Sequence, residues 1–287
     1  MSEEKDALLD FAAIEKNLDS VVRVSRGVRP IPIEKITGSL GRYQEFTENF
    51  LPQAGGVREK FESVRAAMLA GKILPPIKVY QLLDNYFVVD GHHRVTLAKT
   101  ELGAMDIDAE VMEVEFGLSL SPEKKYSCDT GSAMRFLIKL EERVFERETH
   151  LSNAILARPL KVTELTSYGK LFEEIANFRR GYGGGELAKK NIVFASLLWY
   201  ESRFLPAAAI ILDQGLLEGF PDRTYTDLYI WIQQHKYYLS QKAGFDVGFD
   251  FTKTDFVRKF RKAKFYDLLP SLVQGIVGSI KAQRPAA

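Results

Sequence analysis

Residues 87–95, FVVDGHHRV, place an acid, a glycine, two histidines and an arginine directly after an apolar run. The apolar run predicts a buried strand that ends at Asp90, and the residues after Gly91 predict the first turn of a helix. The free N–H groups and the positive dipole end of a helix N-terminus attract anions, and a glycine lets an anion approach the backbone closely. This strand, turn and helix therefore predict a phosphate-binding site.

The polar side chains of this segment suit a bound phosphate. His93 and Arg94 supply donors, and the arginine adds a permanent charge. Asp90 is predicted to hold a magnesium ion against the phosphate or to accept a proton from an attacking hydroxyl, and His92 is the second candidate for proton transfer. The competing interpretation is that Asp90 only caps the helix and that the histidines are surface residues. Zinc is disfavoured, because adjacent histidines in one helical turn point apart and no Cys or His partner follows at metal-ligand spacing.

A second glycine-containing turn, GSLGRY at residues 38–43, is predicted to lead into a helix. Ser39 would offer a hydroxyl, Gly41 lies in the turn, and Arg42 would add a charge. Two such turns on one small sheet predict a joint site for a polyphosphate. An ordinary strand-to-helix turn explains GSLGRY equally well on local grounds.

The pattern around these turns predicts an α+β chain whose first part is a small mixed α/β domain. Apolar residues at three- and four-residue intervals predict a helix over residues 5–24, within an N-terminal helical segment 1–28. Residues 29–118 are predicted to form the mixed α/β domain. Its predicted elements are a strand at RPIPIEKI, a helix over Glu59–Ala70, strands at PPIKVYQLL, NYFVVD and IDAEVMEVE, and a helix at HHRVTLAKTELG with Val95, Ala98 and Leu102 inward and Gly103 at its C-cap.

Residues 119–287 are predicted to form a mostly α-helical domain, with Gly183–Gly185 as a flexible joint. The segments that carry this prediction are MRFLIKLEERVFERETH, YGKLFEEIANFRR, IVFASLLWYESRF, DLYIWIQQHKYYLSQKAG and DFVRKFRKAKFYDLL. The last of them includes a basic stretch, residues 253–264. A solvated face beside an apolar stripe is favoured there, with contact to DNA phosphates or to an acidic partner as the alternative.

One helix of this domain has polar residues on an aromatic face. Four-residue steps place Asp227, Trp231 and His235 on one side, with Thr226 as the predicted N-cap. Such a face would line a pocket or pack against the first domain. Buried aromatic packing with one satisfied histidine is the favoured interpretation.

The net charge, the cysteine content and the length of the apolar runs indicate the cellular compartment of the protein and the partners it could bind. Lys+Arg number 39 and Asp+Glu 38, so the formal charge of +1 gives no global field toward nucleic acid or anionic membrane. The single cysteine, Cys128, excludes an intramolecular disulfide, and the acidic start MSEEKDALLD lacks the regions of a signal peptide. The longest apolar runs are shorter than the roughly 18 residues of a membrane span. We expect a cytoplasmic protein with no membrane partner.

Residues 29–115 resemble the ParB/sulfiredoxin-like superfamily. IPIEKI resembles the family's N-terminal strand, and LPPIKVYQLLDNYFVVDGHHRVTLAKTELGAMDIDAEVMEV resembles its central block, where a strand is followed by Gly-x-x-Arg and a helix. In ParB proteins the equivalent segment grips CTP phosphates, and in sulfiredoxins it reads Gly-Cys-His-Arg. His92 stands in the place of the catalytic cysteine of sulfiredoxin, and Cys128 lies outside the motif, so the resemblance does not imply sulfiredoxin chemistry. The fuller pattern is similar to bacterial ParB-like proteins of unassigned biochemistry.

The Asp-Gly-His-His-Arg version looks more like archaeal free-serine kinases of the same superfamily, which transfer phosphate from a nucleotide to an amino-acid hydroxyl. This likeness implies a nucleotide (ATP, ADP or CTP) with Mg²⁺, and a phosphotransferase or nucleotidase. Those kinases carry a catalytic glutamate near the first strand, where this chain has Pro32, with Glu34 nearby. The ParB likeness implies the alternative, a nucleotide-switched DNA-binding or transcriptional regulatory protein. A nuclease has little support, because paired carboxylates for two metals are absent near the motif.

Overall fold

The computed structural model describes residues 8–41, 46, 50, 58–70, 72, 74–128 and 130–260. The chain divides into two compact units between Val144 and Phe145. The first unit contains a sheet and helices, and the elements described in the second are all helical, so the predicted α+β class is confirmed. The division falls inside a long helix rather than at residue 118.

The first unit is built on a six-stranded mixed sheet with the strand order β1-β3-β5-β4-β6-β2. The strands are β1 (Leu9–Asp10), β2 (Ser20–Pro32), β3 (Ile36–Ser39), β4 (Ile77–Leu82), β5 (Asn85–Asp90) and β6 (Asp106–Gly117). β3 and β5 are parallel, with Ser39 opposite Val88, whereas β4 and β5 form an antiparallel hairpin. The carboxyl ends of β3 and β5 therefore lie side by side.

Helices and aromatic side chains cover both faces of this sheet. The helices of the first unit are α1 (Phe11–Glu15), α2 (Arg58–Leu69), α3 (His92–Thr100) and α4 (Gly131–Thr149), the last of which crosses into the second unit. On one face, Val88 of β5 and Val95 of α3 belong to a single buried cluster. On the other face, the ring of Phe87 contacts Phe11 at 5.2 Å and Phe136 at 5.6 Å between centroids. Alternate residues of β5 thus pack against different layers.

The predicted helix over residues 5–24 is wrong for most of its described part. Helix α1 covers only Phe11–Glu15, and the chain enters the 13-residue strand β2 at Ser20. The β-branched residues Val21, Val22 and Val24 fit a pleated strand better than a helix. Antiparallel pairing with β6, which opposes Val21 to Phe116, stabilises them in that state. The pairing with β6, a strand distant in the sequence, therefore decides the structure here, although the local spacing of apolar residues is that of a helix.

The strand predicted at residues 29–36 is interrupted, because β2 ends at Pro32, a 3₁₀ helix covers Ile33–Lys35, and β3 begins at Ile36. The other elements predicted for the first unit lie close to their expected positions. Helix α2, strands β4 to β6 and helix α3 are all present, with Val95 and Ala98 buried as predicted. Leu102 is not inward, because α3 ends at Thr100 and the leucine side chain is 46% exposed. The helix predicted after GSLGRY falls mostly outside the described residues.

Strand β2 forms one edge of the sheet and is interrupted in its middle. Its register against β6 shifts between Ser25 and Val28, and Gly27 within this bulge has φ +72°. Arginines stand along the strand at positions 23, 26 and 29. Arg26 donates to Glu113 of β6 at 2.5 Å. A bulge of this kind bends the strand and increases its local twist.

The second unit is an array of helices. They are α5 (Ser167–Gly181), a 3₁₀ helix (Tyr182–Lys189), α6 (Ile192–Trp199), a π-helical turn (Tyr200–Phe204), α7 (Leu205–Asp213), a 3₁₀ helix (Leu216–Gly219), α8 (Tyr225–Ala243) and α9 (Phe249–Phe260). Gly183–Gly185, predicted to be a flexible joint, lie in a 3₁₀ helix. Within the described ranges, none of the helices combines the length and the apolar composition that a bilayer crossing requires.

A carboxyl group is held among the aromatic side chains of the second unit. Glu174 Oε1 accepts hydrogen bonds from Tyr229 Oη at 2.5 Å and from Trp199 Nε1 at 3.1 Å. Both aromatic residues are fully buried, so the carboxyl end of Glu174 is removed from water. Burial raises the pKa of Glu174 above its usual value of 4.5. The folded state therefore favours the neutral acid more than the unfolded chain does.

This raised pKa predicts that stability falls as the pH increases. The folded state holds the Glu174 proton more tightly than the unfolded chain, so its contribution is complete below pH 4.5 and is lost as pH rises through the folded-state pKa. Wild type should lose up to about 1.4 kcal/mol of unfolding free energy per pH unit within that window, relative to Glu174→Gln. Urea denaturation from pH 4.5 to 8 measures the difference. Glu173→Gln changes the exposed neighbour and should follow wild type, whereas parallel curves for wild type and Glu174→Gln would exclude the effect.

Candidate functional site

The two glycine-containing turns meet at the carboxyl ends of β3 and β5. Ser39 ends β3, His92 begins α3, and Ser39 Oγ lies 2.6 Å from His92 Nε2. Both side chains are buried, with exposed fractions of 0% and 3%. The parallel register causes this contact, because it sets Ser39 beside Val88, close to the end of β5. Two predicted site residues from separate stretches thus share one hydrogen bond, while their part in phosphate binding stays a prediction.

Gly91 makes the sharp passage from β5 into α3. Its φ of +100° and ψ of 21° place it in the left-handed region, which glycine adopts without strain. A Cβ at this position would lie 2.5 Å from Ile77 Cγ2 and 2.9 Å from Arg94 Nη2. Gly91 is also the N-cap of α3, and a glycine has no side chain with which to cap the helix. The interpretation that Asp90 caps α3 is therefore wrong.

Arg94 and Asp90 form an ion pair one helical turn apart. Arg94 Nη2 donates to Asp90 Oδ2 at 2.8 Å, and Nη1 donates to the carbonyl oxygen of Pro75. The Arg94 side chain is only 13% exposed, whereas that of Asp90 is 66% exposed. The guanidinium is thus fixed by two acceptors, and the carboxylate stays open to solvent. The sequence did not predict the Pro75 contact, because a backbone carbonyl has no side-chain signature.

Both histidines of the motif pack against aromatic side chains. The His92 ring stacks on Phe46 at 5.3 Å between centroids. His93 is half-buried, with Phe46 at 5.9 Å and Phe61 edge-on at 6.0 Å. The interpretation that these histidines are surface residues is wrong. His92 instead links the two turns through Ser39, which gives it a positioning role in this conformation.

Of the two remaining residues predicted to bind phosphate, the structure describes Gly41 but not Arg42. Gly41 is exposed and has φ +78°, so the GSLGRY turn also uses a left-handed glycine. Arg42 lies outside the described residues. In the described part of the chain, no group of three or more His, Cys, Asp or Glu side chains is placed to hold a metal ion. A magnesium ion at Asp90 would therefore take its other ligands from phosphate and water, as this ion commonly does.

The aromatic helix of the second unit is a packing element, as favoured from the sequence. His235 Nε2 lies 2.9 Å from Asp255 Oδ2, and both side chains are buried. The N-cap of α8 is Thr224 rather than Thr226, because Thr224 forms a capping box with Asp227. Thr226 is instead a buried residue inside the helix.

The basic stretch 253–264 is only partly described, up to residue 260. Lys253 is buried, and Arg258 pairs with Asp255 at 2.6 Å. Residues 261–264 lie outside the described ranges. Contact of this stretch with DNA or with an acidic partner stays a prediction.

Comparisons with known proteins give similar solved structures but no matching protein family. No protein-family model matches the chain, and no curated protein matches it. Among solved structures, sulfiredoxin from Arabidopsis thaliana is similar, at 25% sequence identity and a TM-score of 0.20, over 29% of this chain and 82% of the sulfiredoxin chain.

Proposed function

We propose that the first unit binds the phosphate groups of a nucleotide at the amino-terminal end of α3. The observation that supports this proposal most is the hydrogen bond between Ser39 and His92, which joins two glycine-containing turns at one edge of the sheet. In α/β sheets, ligands bind outside the carboxyl ends of parallel strands, and helix N-termini there face the phosphates. Strands β3 and β5 with helix α3 form that arrangement.

Each side chain has a distinct proposed role. Gly91 and Gly41 let the phosphates approach the backbone, and His93, Arg94 and Arg42 supply donors and charge. Asp90 binds magnesium beside the phosphates, so that a cation faces the carboxylate and an anion faces the arginine. Because its carboxylate is exposed, Asp90 is also accessible to an acceptor hydroxyl. These roles describe a nucleotide-dependent phosphotransferase or nucleotidase.

Replacing the arginine is the direct test of phosphate binding. Arg94→Ala is expected to weaken nucleotide binding by roughly 1.5–3 kcal/mol, the range for a hydrogen bond to a charged group, which corresponds to roughly ten- to 150-fold in affinity. A thermal-shift screen of the whole chain against ATP, ADP, CTP and GTP with magnesium selects the nucleotide. Titration calorimetry with that nucleotide then compares wild type and Arg94→Ala.

A second arginine in the same unit serves as the matched control. Arg65 on α2 pairs with Glu101 at 2.7 Å and with Glu62 at 3.8 Å, so Arg65→Ala removes an equal charge and its ion pairs away from α3's first turn. Arg65→Ala should bind the nucleotide as wild type does. Circular dichroism confirms that Arg94→Ala is folded, since this variant also loses the contact to Pro75. Equal affinities for wild type and a folded Arg94→Ala would refute the proposed site.

A further inference from the structure

A cleft of about 1040 Å³ opens in the first unit at the other end of α3. Lys99, from the last turn of this helix, lines the cleft, as do Ile36 at the start of β3 and Phe136 of α4. Between His92 and Lys99 the helix rises by about 10 Å, so the cleft is separate from the phosphate site. Its volume matches the upper end of the range for small-molecule pockets.

Three cationic side chains line this cleft. Arg135 and Lys139 are one turn apart on α4, where like charges repel each other. Lys99 is half-buried; its Nζ donates to the carbonyl oxygen of Ile36 at 3.1 Å and lies 4.7 Å from the centroid of the Phe50 ring. Among the residues that the structure describes, no carboxylate pairs with Lys99. Burial accordingly lowers the pKa of this lysine.

The other walls of the cleft are largely apolar, with two acids at exposed positions. Ile33, Ile36, Met105 and Phe136 are among the apolar lining residues, while Glu34 and Asp106 also line the cleft and are exposed. Cations therefore outnumber acids by one, and the most buried charge is positive. An apolar wall beside a half-buried ammonium group suits a ligand with both an apolar and an anionic part.

We infer that this cleft binds a small organic carboxylate with an apolar body. The carboxylate accepts charge-assisted hydrogen bonds from Lys99 and from the cations of α4, and the apolar body lies against Ile36 and Phe136. Binding offsets the cost of burying Lys99 without a carboxylate from the described residues. The inference is independent of nucleotide binding at α3's first turn.

Titration of the whole chain with octanoate tests this inference, with octanol and inorganic phosphate as comparison probes. Octanoate should bind at least about tenfold more tightly than octanol, which lacks the charge, and than phosphate, which lacks the apolar body. Lys99→Met should weaken octanoate binding about tenfold or more, and Lys139→Gln by several-fold, because each removes one charge-assisted contact. Lys78→Gln, on β4 beside Glu110, is the matched control and should bind as wild type does.

If Lys99→Met does not fold, the Lys139→Gln variant still tests the inference. Lys139 is exposed, so Lys139→Gln should leave the unfolding transition and nucleotide binding unchanged while weakening octanoate binding. Equal affinity for octanoate and octanol, equal affinity for octanoate and phosphate, or no effect of Lys139→Gln would each overturn the inference. Failure to bind octanoate at all would do the same.

Discussion

A Gly91→Ala variant is expected to lose roughly 2–5 kcal/mol of unfolding free energy, a large share of the stability of an ordinary domain. Two costs add. The left-handed backbone at φ +100° strains any residue that carries a Cβ. The new methyl group would also lie 2.5 Å from Ile77 Cγ2, and Ile77 is a buried strand residue with an exposed fraction of 1% and little room to move.

Gly103→Ala separates the two costs. Gly103 also has a left-handed backbone, with φ +55°, but nothing lies within 4 Å of a Cβ placed there. Gly103→Ala should therefore lose only the backbone strain, about 1–2 kcal/mol. Urea denaturation of both variants at one pH measures the free energies of unfolding. Equal losses of unfolding free energy in the two variants would show that the contact with Ile77 relaxes. Gly91 would then be required only for the left-handed backbone of the turn.

The second large effect concerns turnover, and it depends on the proposed phosphotransfer. Asp90→Asn is expected to lower nucleotide consumption by roughly 10² to 10⁴ while leaving nucleotide affinity within about tenfold. An amide oxygen still accepts the Arg94 hydrogen bond, so the geometry of the pair is kept. What is lost is the charge that is proposed to bind magnesium and to accept a proton. Because the Asp90 carboxylate is exposed, a magnesium ion and an acceptor hydroxyl can both reach it.

The assay follows nucleotide products by chromatography. Wild type, Asp90→Asn and Asp84→Asn are incubated with the best-binding nucleotide, magnesium and a mixture of small hydroxyl compounds that includes serine. Asp84 is an exposed acid in the turn before β5, at the opposite end of that strand, so its variant should react as wild type does. Turnover of Asp90→Asn at the wild-type rate would remove Asp90 from the chemistry. If wild type consumes no nucleotide, the phosphotransferase or nucleotidase proposal is refuted, and only the proposal of nucleotide binding remains.

The sequence predicted the strand, glycine and helix around Gly91 because the information there is local. An apolar run, a turn residue and a helical pattern follow one another between Asn85 and Thr100, and the structure keeps that order. The meeting of the two glycine-containing turns was also predicted. The contact between Ser39 and His92 was not, because it depends on the parallel register of β3 against β5.

The errors and omissions have the same physical origin, which is distance along the chain. The first residues of strand β2, 20–24, were predicted to be helical because their partner strand β6 begins only at Asp106, far beyond any local window. The cleft gave no sequence signal for a similar reason. Lys99 and Lys139 belong to different helices, and only the folded chain brings them to one cavity. Contacts between distant segments cannot be inferred from the periodicity of either segment alone.

The bulged, arginine-bearing edge formed by β2 also bears on how this molecule behaves in a crowded solution. An open sheet edge is a template on which a strand from a second molecule can add. Charged arginine side chains along β2 disfavour such an addition, and the shift between Ser25 and Val28 would break the hydrogen-bond register of an added strand. The arginines and the bulge therefore both oppose edge-to-edge pairing of the sheet.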